Sequence, residues 1–462
     1  LNISLDVKRR LTAYLNNLRR GSDSVYISPL GDAHGPDKLL KDWDSIFQSL
    51  SYKVNGTLSD LELSNRSKFG PRSIQKAWSA RKEGLLEYFN DDRTFTFVPP
   101  ELPRFNINLR PLSYLNAVDR LKNDTNSGLP FFVKKGSLKD KLRKMNLSDC
   151  ISKVDELLPC ILFTRTQEGD KTRDVWGYPI FLTLLELMYY IPLLTFQSKL
   201  TWRSALLGPE FVDRYVSELL HKCINNDELI LVSIDFSSFD KSVLTRISDV
   251  AFNYIRALFQ IKCHEHINLI QKCFQTIGLL TPDGILSGRH GVPSGSTFTN
   301  EVDSLVQYFV ALSSGCTFDT NFQIQGDDGV YLIKASDLEK FLDTFKRAGL
   351  KVNIEKSHNS NEFCVYLQNL YHRDYIRDNG QFGGIYPTYR ALCRIVYQER
   401  FVNFLDDDLE GRDYYSIRTI CILENCKNHP LFKEFVSFIL SKDKYLLEFS
   451  EGSLRKYENI IN

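Results

Sequence analysis

The clearest patterns of apolar and polar positions lie in the middle of the chain. Leu229 to Ile234 form an apolar run of buried-strand length. Phe322 and Ile324 alternate before Gly326-Asp327-Asp328-Gly329, and Val330 and Leu332 alternate after it. This predicts a β-hairpin whose turn holds glycines and two carboxylates. Helical spacing at Phe298, Val302, Leu305, Val306 and Phe309 predicts a buried helix. A tight loop bearing Gly291, Pro293 and Gly295 leads into it. Ser336 to Glu339 reads as a capping box for a helix with the apolar stripe Leu338, Phe341, Leu342 and Phe345. Gly349 is placed to end that helix. The longest apolar stretch, residues 181–196, is interrupted by Glu186 and Pro192. It is too short to span a bilayer and predicts a buried helix.

The ends of the chain carry weaker patterns. Residues 1–20 set Lys8, Arg9, Arg10, Arg19 and Arg20 between Leu5, Leu11, Leu15 and Leu18, which predicts a basic amphipathic helix. Residues 21–75 are rich in Gly, Ser, Pro, Asp and Asn and read as loops with short helices. Pro99, Pro100, Pro103 and Pro111 predict an extended crossing segment. From about residue 371 the chain is aromatic and mostly helical in pattern. Pro430 is placed to open a last packed helix bearing Phe432, Phe435, Val436 and Ile439.

Composition narrows the class. With 462 residues, 43% hydrophobic and 25% charged, the chain is a soluble globular protein of two or three subdomains, and a disordered chain is excluded. The net charge of +1 means that nucleic-acid binding has to come from local basic patches. Ten cysteines without a CxxC pair fit reduced thiols in a cytosolic setting. Cys263-His264-Glu265-His266 matches no common zinc spacing. The first residue is Leu1, which reads as a fragment or a processed product, and no secretory signal is visible.

Several positions carry candidate chemistry. Asp235 sits at the carboxyl end of the 229–234 run, and Asp240 follows after a four-residue turn. Asp327 and Asp328 repel each other at a hairpin tip, a repulsion that a divalent metal would offset. The plain alternative is that Asp-Gly is good turn chemistry. Thr299 and Asp303 share one helix face, and Asp303 lies too far in to be a cap. Thr125-Asn126-Ser127-Gly128-Leu129-Pro130 precedes Lys134, Lys135, Lys139, Lys141, Arg143 and Lys144. Small residues there would let a phosphate backbone approach the lysines, although most basic runs are solvated surface. Lys171 and Arg173 share one face of an extended segment that also holds Arg165. They could clamp a triphosphate or simply guard an edge strand.

Taken together, these motifs resemble viral RNA-dependent RNA polymerases. In the family's order, 125–130 resembles motif G, Arg165, Lys171 and Arg173 resemble motif F, and Asp235 and Asp240 match motif A. Ser294, Gly295, Thr299 and Asp303 match motif B, and Gly326, Asp327 and Asp328 match motif C. Residues 336–357, ending in Lys356, resemble motif D, and 363–370 resemble motif E. The wording of KTRDVWGYP and GVPSGSTFTNEVDS is most similar to partitivirus polymerases, with picobirnaviruses next.

The resemblance implies an α+β, right-hand polymerase fold with an antiparallel palm sheet flanked by helices. It implies an N-terminal extension and bridging region over 1–95, fingers over 96–178, palm over 179–262 and a fingers insertion over 263–285. Palm would resume over 286–370, with the thumb at 371–462. The implied activity is RNA synthesis on RNA for a small double-stranded RNA virus, with two Mg²⁺ or Mn²⁺ ions on Asp235, Asp327 and Asp328. Lys356 would be the general acid. Arg165, Lys171, Arg173, Asp240, Ser294, Thr299 and Asp303 would bind the nucleotide. Thr125, Ser127, Gly128 and Gly295 would meet the template. Implied partners are RNA, ribonucleoside triphosphates and a capsid protein, with no membrane, inside the virion or the host cytoplasm.

Alternatives are a reverse transcriptase, disfavoured by Asp240 and Gly326 where aromatics are usual, or a non-catalytic RNA-binding protein of the same fold. Many relatives carry Asn where Asp303 stands. A shared proton or bridging water between Asp303 and Asp240 is therefore expected, unless Asp303 points to Thr299 or Ser294 instead. With a shared proton, Asp303→Asn is expected to keep activity and to flatten the acid side of the pH profile.

Overall fold

The computed structural model describes residues 1–94 and 96–461. The chain divides into two compact units, one of Leu1–Arg19, Trp78–Phe163 and Asp174–Leu367, the other of Arg20–Ala77, Thr164–Arg173 and Gln368–Asn462.

The first unit is built on a four-stranded antiparallel sheet in the order Phe322–Gln325, Asp328–Lys334, Leu229–Ile234, His358–Ser360. The central strands are buried on both faces, which is why Leu229 to Ile234 reads as an apolar run. The helix Leu338–Arg347 packs Phe341 and Phe345 against Tyr331 of the sheet, with ring centroids 5.0 and 6.0 Å apart. Gly349 follows this helix at φ 82°, with its amide bonded to the Lys346 carbonyl. The capping box is not formed. Ser336 falls in the short 3₁₀ turn Ala335–Asp337, and no side chain caps the helix that follows.

Residues 181–196 lie within the helix Ile180–Gln197. At 18 residues it is the one helix among the described residues long and apolar enough to cross a membrane, and 61% of it is buried inside the protein. The N-terminal helix Leu5–Arg20 buries Val7, Leu11 and Leu18, while Leu5 is 64% exposed. Arg10 donates to the backbone carbonyls of Phe131 and Phe132, so one cation of its basic face is spent inside the fold. The described part of 99–112 holds no helix or strand, as its prolines predict.

The second unit is mostly helical. Residues 21–75 are more regular than their composition suggests, with helices Pro29–His34, Pro36–Ser49 and Gly56–Arg66. Their Ser, Asn and Pro residues are caps and starts. Ser28 accepts from the Gly31 amide, Asn55 from the Leu58 amide, and Pro29 and Pro36 open their helices. Trp43 centres the core, 4.8 Å from Phe435 and 5.4 Å from Phe438 by ring centroid. Those two phenylalanines lie on Phe432–Lys442, which starts two residues after Pro430. It is not the last helix, since Ser453–Ile461 follows.

Candidate active site

Asp235 is the first residue after the Leu229–Ile234 strand. Its amide donates to Ser357 Oγ at 3.0 Å, and its carbonyl accepts from the Asn353 amide at 2.8 Å. Strand register pairs Ile234 with Gly329, so the next step sets Asp235 opposite Asp328 at the same end of the sheet. Gln325 pairs with Asp328, which makes Gly326-Asp327 the two-residue turn. Asp327 is exposed at the tip and Asp328 half-buried.

The tip is held from below by the helix Thr299–Ser313. The Gly326 amide donates to Ser304 Oγ at 2.8 Å. Gln307 Nε2 donates to the Gly326 carbonyl at 2.8 Å and to that of Asp328 at 3.4 Å, while its Oε1 accepts from the Tyr331 hydroxyl at 2.7 Å. The same helix carries Glu301, fully buried against Arg203 with bonds of 2.6 and 2.7 Å. Arg203 also reaches Gln325 Oε1 at 3.3 Å.

Asp240 stands on the helical turn Phe239–Ser242, entered through Ser238 at φ 53°. Its carbonyl accepts from the Val292 amide at 2.8 Å, which ties this turn to the glycine loop. Asp303, only 4% exposed, is hydrogen-bonded through its carboxyl to Asp240. Burial, then the charge of Asp240, then that of Asp327 hold the Asp303 carboxyl well above the usual carboxylate range. The pair is therefore arranged to share a proton between Asp303 and Asp240. Its Oδ1 is buried without a partner. The alternative targets are already engaged. Thr299 Oγ1 donates to the Pro293 carbonyl at 2.8 Å, and Ser294 Oγ to that of Asp174 at 2.9 Å.

Gly295 is adjacent to Ser294, and a Cβ there would collide with the Trp176 carbonyl. Its lack of a side chain is thus required by packing, whatever meets its exposed side. Lys356 is exposed in the turn 354–356, and its amide bonds Asn353, the residue that holds Asp235. Val352 makes a single bridge to Phe236.

Two of the predicted template residues are buried. Ser127 is fully buried and its hydroxyl accepts from the Val133 amide at 3.2 Å, so it shapes its own loop rather than meeting a template. Gly128, also buried and at φ 59°, lies where a Cβ would strike the Tyr178 carbonyl. Thr125 alone of the three is exposed. Arg165, Lys171 and Arg173 belong to the second unit and are all exposed. Lys171 and Arg173 alternate on the strand Lys171–Gly177 as predicted, and Arg165 stands 3.6 Å from Glu399. Among the described residues, no three Asp, Glu, His or Cys side chains are gathered as a ready ligand set for a metal. Glu186, Arg203, Glu301 and Gln307, which brace the loop and the hairpin, were not singled out from sequence as functional.

Residues 79–382, which include every carboxylate of this site, match the family described as viral RNA-dependent RNA polymerase. The chain belongs to that family. It is 30% identical to a potential RNA-dependent RNA polymerase of human picobirnavirus (strain Human/Thailand/Hy005102/-), over 94% of this chain and 85% of that one. It is 28% identical to the RNA-directed RNA polymerase of Cryptosporidium parvum virus 1 (strain KSU-1), over 60% of this chain and 59% of that one. The crystal structure of the RNA-dependent RNA polymerase of a human picobirnavirus superposes with a TM-score of 0.84 at 26% identity, covering 98% of this chain and 94% of that one. An insertion-loop deletion mutant of such an enzyme gives 0.82 at 27%, covering 96% and 93%. The polymerase therefore has the right-hand fold implied by its motifs, and its substrates are RNA and nucleotides. The picobirnavirus likeness, second in the sequence reading, extends over more of the chain than the Cryptosporidium virus likeness.

Proposed function

We propose that this polymerase replicates and transcribes the genome of a small double-stranded RNA virus, using divalent ions held chiefly by Asp235 and Asp327, with Asp328 adjusting the site. The observation that carries the reading is the register that sets the end of the Leu229–Ile234 strand opposite the Gly326-Asp327 turn. The donor set fits hard cations, since it is made of carboxylate oxygens alone. The raised Asp303 carboxyl supports the same fit, because after burial its causes are the negative charges of Asp240 and Asp327. Bound Mg²⁺ or Mn²⁺ would activate the attacking 3′-hydroxyl and take up charge on the leaving pyrophosphate.

The chain's own residues supply the rest. Asp240, oriented by its hydrogen bond to Asp303, accepts a hydrogen bond from the ribose 2′-hydroxyl and so favours ribonucleotides. Ser294 and Thr299 fix the loop beneath the nucleotide. Arg165, Lys171 and Arg173 neutralise the triphosphate, the guanidinium groups being the better forks. Lys356 delivers a proton to pyrophosphate from a turn tied to Asp235. Thr125 and the neighbouring lysines receive template phosphates. The enzyme would work beside a capsid protein, in the virion interior and the host cytoplasm. The test is nucleotide incorporation by the purified chain on a defined RNA template, with and without Mg²⁺ or Mn²⁺. Incorporation that needs the metal and disappears in Asp235→Ala is expected. Full activity of that variant would refute the assignment.

A further inference from the structure

The glycine loop that carries Ser294 and Gly295 is also anchored by one residue the chemistry above does not use. Glu186, in the middle of the apolar helix Ile180–Gln197, is completely buried. Its carboxylate accepts from Ser296 Oγ at 2.5 Å, from the Thr297 amide at 3.1 Å and from Thr297 Oγ1 at 3.3 Å. Ser296 Oγ in turn accepts from the Phe298 amide at 3.1 Å, just before the helix that bears Asp303. The loop is thus pinned at three successive places. Val292 is held by the Asp240 carbonyl, Ser294 by the Asp174 carbonyl, and Ser296 with Thr297 by Glu186.

A buried carboxylate is costly, and an apolar residue would pack this helix better. Its bonds all run to the loop, so its effect falls on loop geometry. We propose that ionised Glu186 is a positioning residue that sets the nucleotide-facing conformation of the Ser294–Thr299 loop, and that its protonation loosens the loop and slows nucleotide incorporation. This rests on reading the loop as nucleotide-facing.

The surroundings make the effect readable at neutral pH. Burial raises the Glu186 carboxyl to about 7, against the lowering effect of the Ser296 and Thr297 bonds and of Lys135. The groups that face it are Lys135, Cys160, Tyr178 and Cys273. Burial raises both thiols and the phenol, and holds His290 of the same loop neutral down to about 4. Lys135 is lowered from its ordinary value by burial, so it is the one neighbour whose titration has to be told apart.

The experiment is steady-state incorporation on an RNA template from pH 6 to 8.5, for wild type, Glu186→Gln and Ser296→Ala. Wild type should lose kcat as pH falls through about 7. Glu186→Gln should lower kcat about tenfold, the scale of one strong buried hydrogen bond, with little change in KM and no inflection near 7. Ser296→Ala removes a bond that favours the carboxylate, so its inflection should move to higher pH, which an inflection from Lys135 would not do. Wild-type kcat and pH profile in folded Glu186→Gln would overturn the proposal. So would an unmoved inflection in Ser296→Ala, the arm that decides if Glu186→Gln does not fold. Failure of the underlying loop reading shows separately, as an unchanged nucleotide KM in Ser294→Ala.

Discussion

At the scale of single residues, Asp303 shows what a buried carboxyl does beside another. Its folded-state pKa lies above the ordinary value, chiefly through burial and then Asp240. The neutral form and the stability linked to it are complete in acid and are lost as pH rises through the raised value. The pH effect therefore appears as pH rises through that raised value. Asp303→Asn, a permanent donor, should keep activity and remove that pH dependence. Asp303→Leu should loosen discrimination between ATP and dATP, because Asp240 loses its orienting partner. Competition between the two nucleotides on one template measures this, and an unchanged ratio in Asp303→Leu would count against a role in sugar selection. Asp235, Asp303 and Asp327 were legible because each ends or interrupts a clear apolar pattern, and Asp240 because it follows Asp235 after a four-residue turn. Ser127 and Gly128 were misread, since a small residue that packs under a carbonyl looks the same in sequence as one that admits a phosphate.

At the scale of elements, the hairpin, the Leu229–Ile234 strand and the Thr299–Ser313 helix were legible because their periods differ, and glycines mark the hairpin turn and the loop before the helix. What braces them was not. Arg203 and Glu301 lie 98 positions apart and meet in the core, and no local pattern announces such a pair. Both are essentially buried, so removing one partner leaves the other charge unpaired. Arg203→Ala or Glu301→Ala should each cost about 3–5 kcal/mol of stability. Urea unfolding monitored by tryptophan fluorescence measures it, and a cost below about 1 kcal/mol would show that the pair is solvated in solution. The capping box failed for a different reason. Ser336 has the right neighbours, but a 3₁₀ turn takes up the position where the cap would form.

At the scale of the whole molecule, the division into two units was out of reach of a linear reading. Each unit is assembled from three separate stretches, and the tip of the motif F hairpin, Thr164–Arg173, goes with the second. Contiguous domains drawn along the chain cannot express that. The order of motifs along the chain was legible, and the family match over residues 79–382 covers all of them. The central claim is that the acidic end of the first unit's sheet is a divalent metal site, although its side chains are not gathered into a ligand set. Binding of Mn²⁺ by the whole protein tests it most directly, followed by electron paramagnetic resonance with a nucleoside triphosphate present. About two bound ions per chain are expected in wild type and in Asp303→Asn, with loss of at least one in Asp235→Ala and in Asp327→Ala. Equal stoichiometry and affinity in wild type, Asp235→Ala and Asp327→Ala would contradict the account.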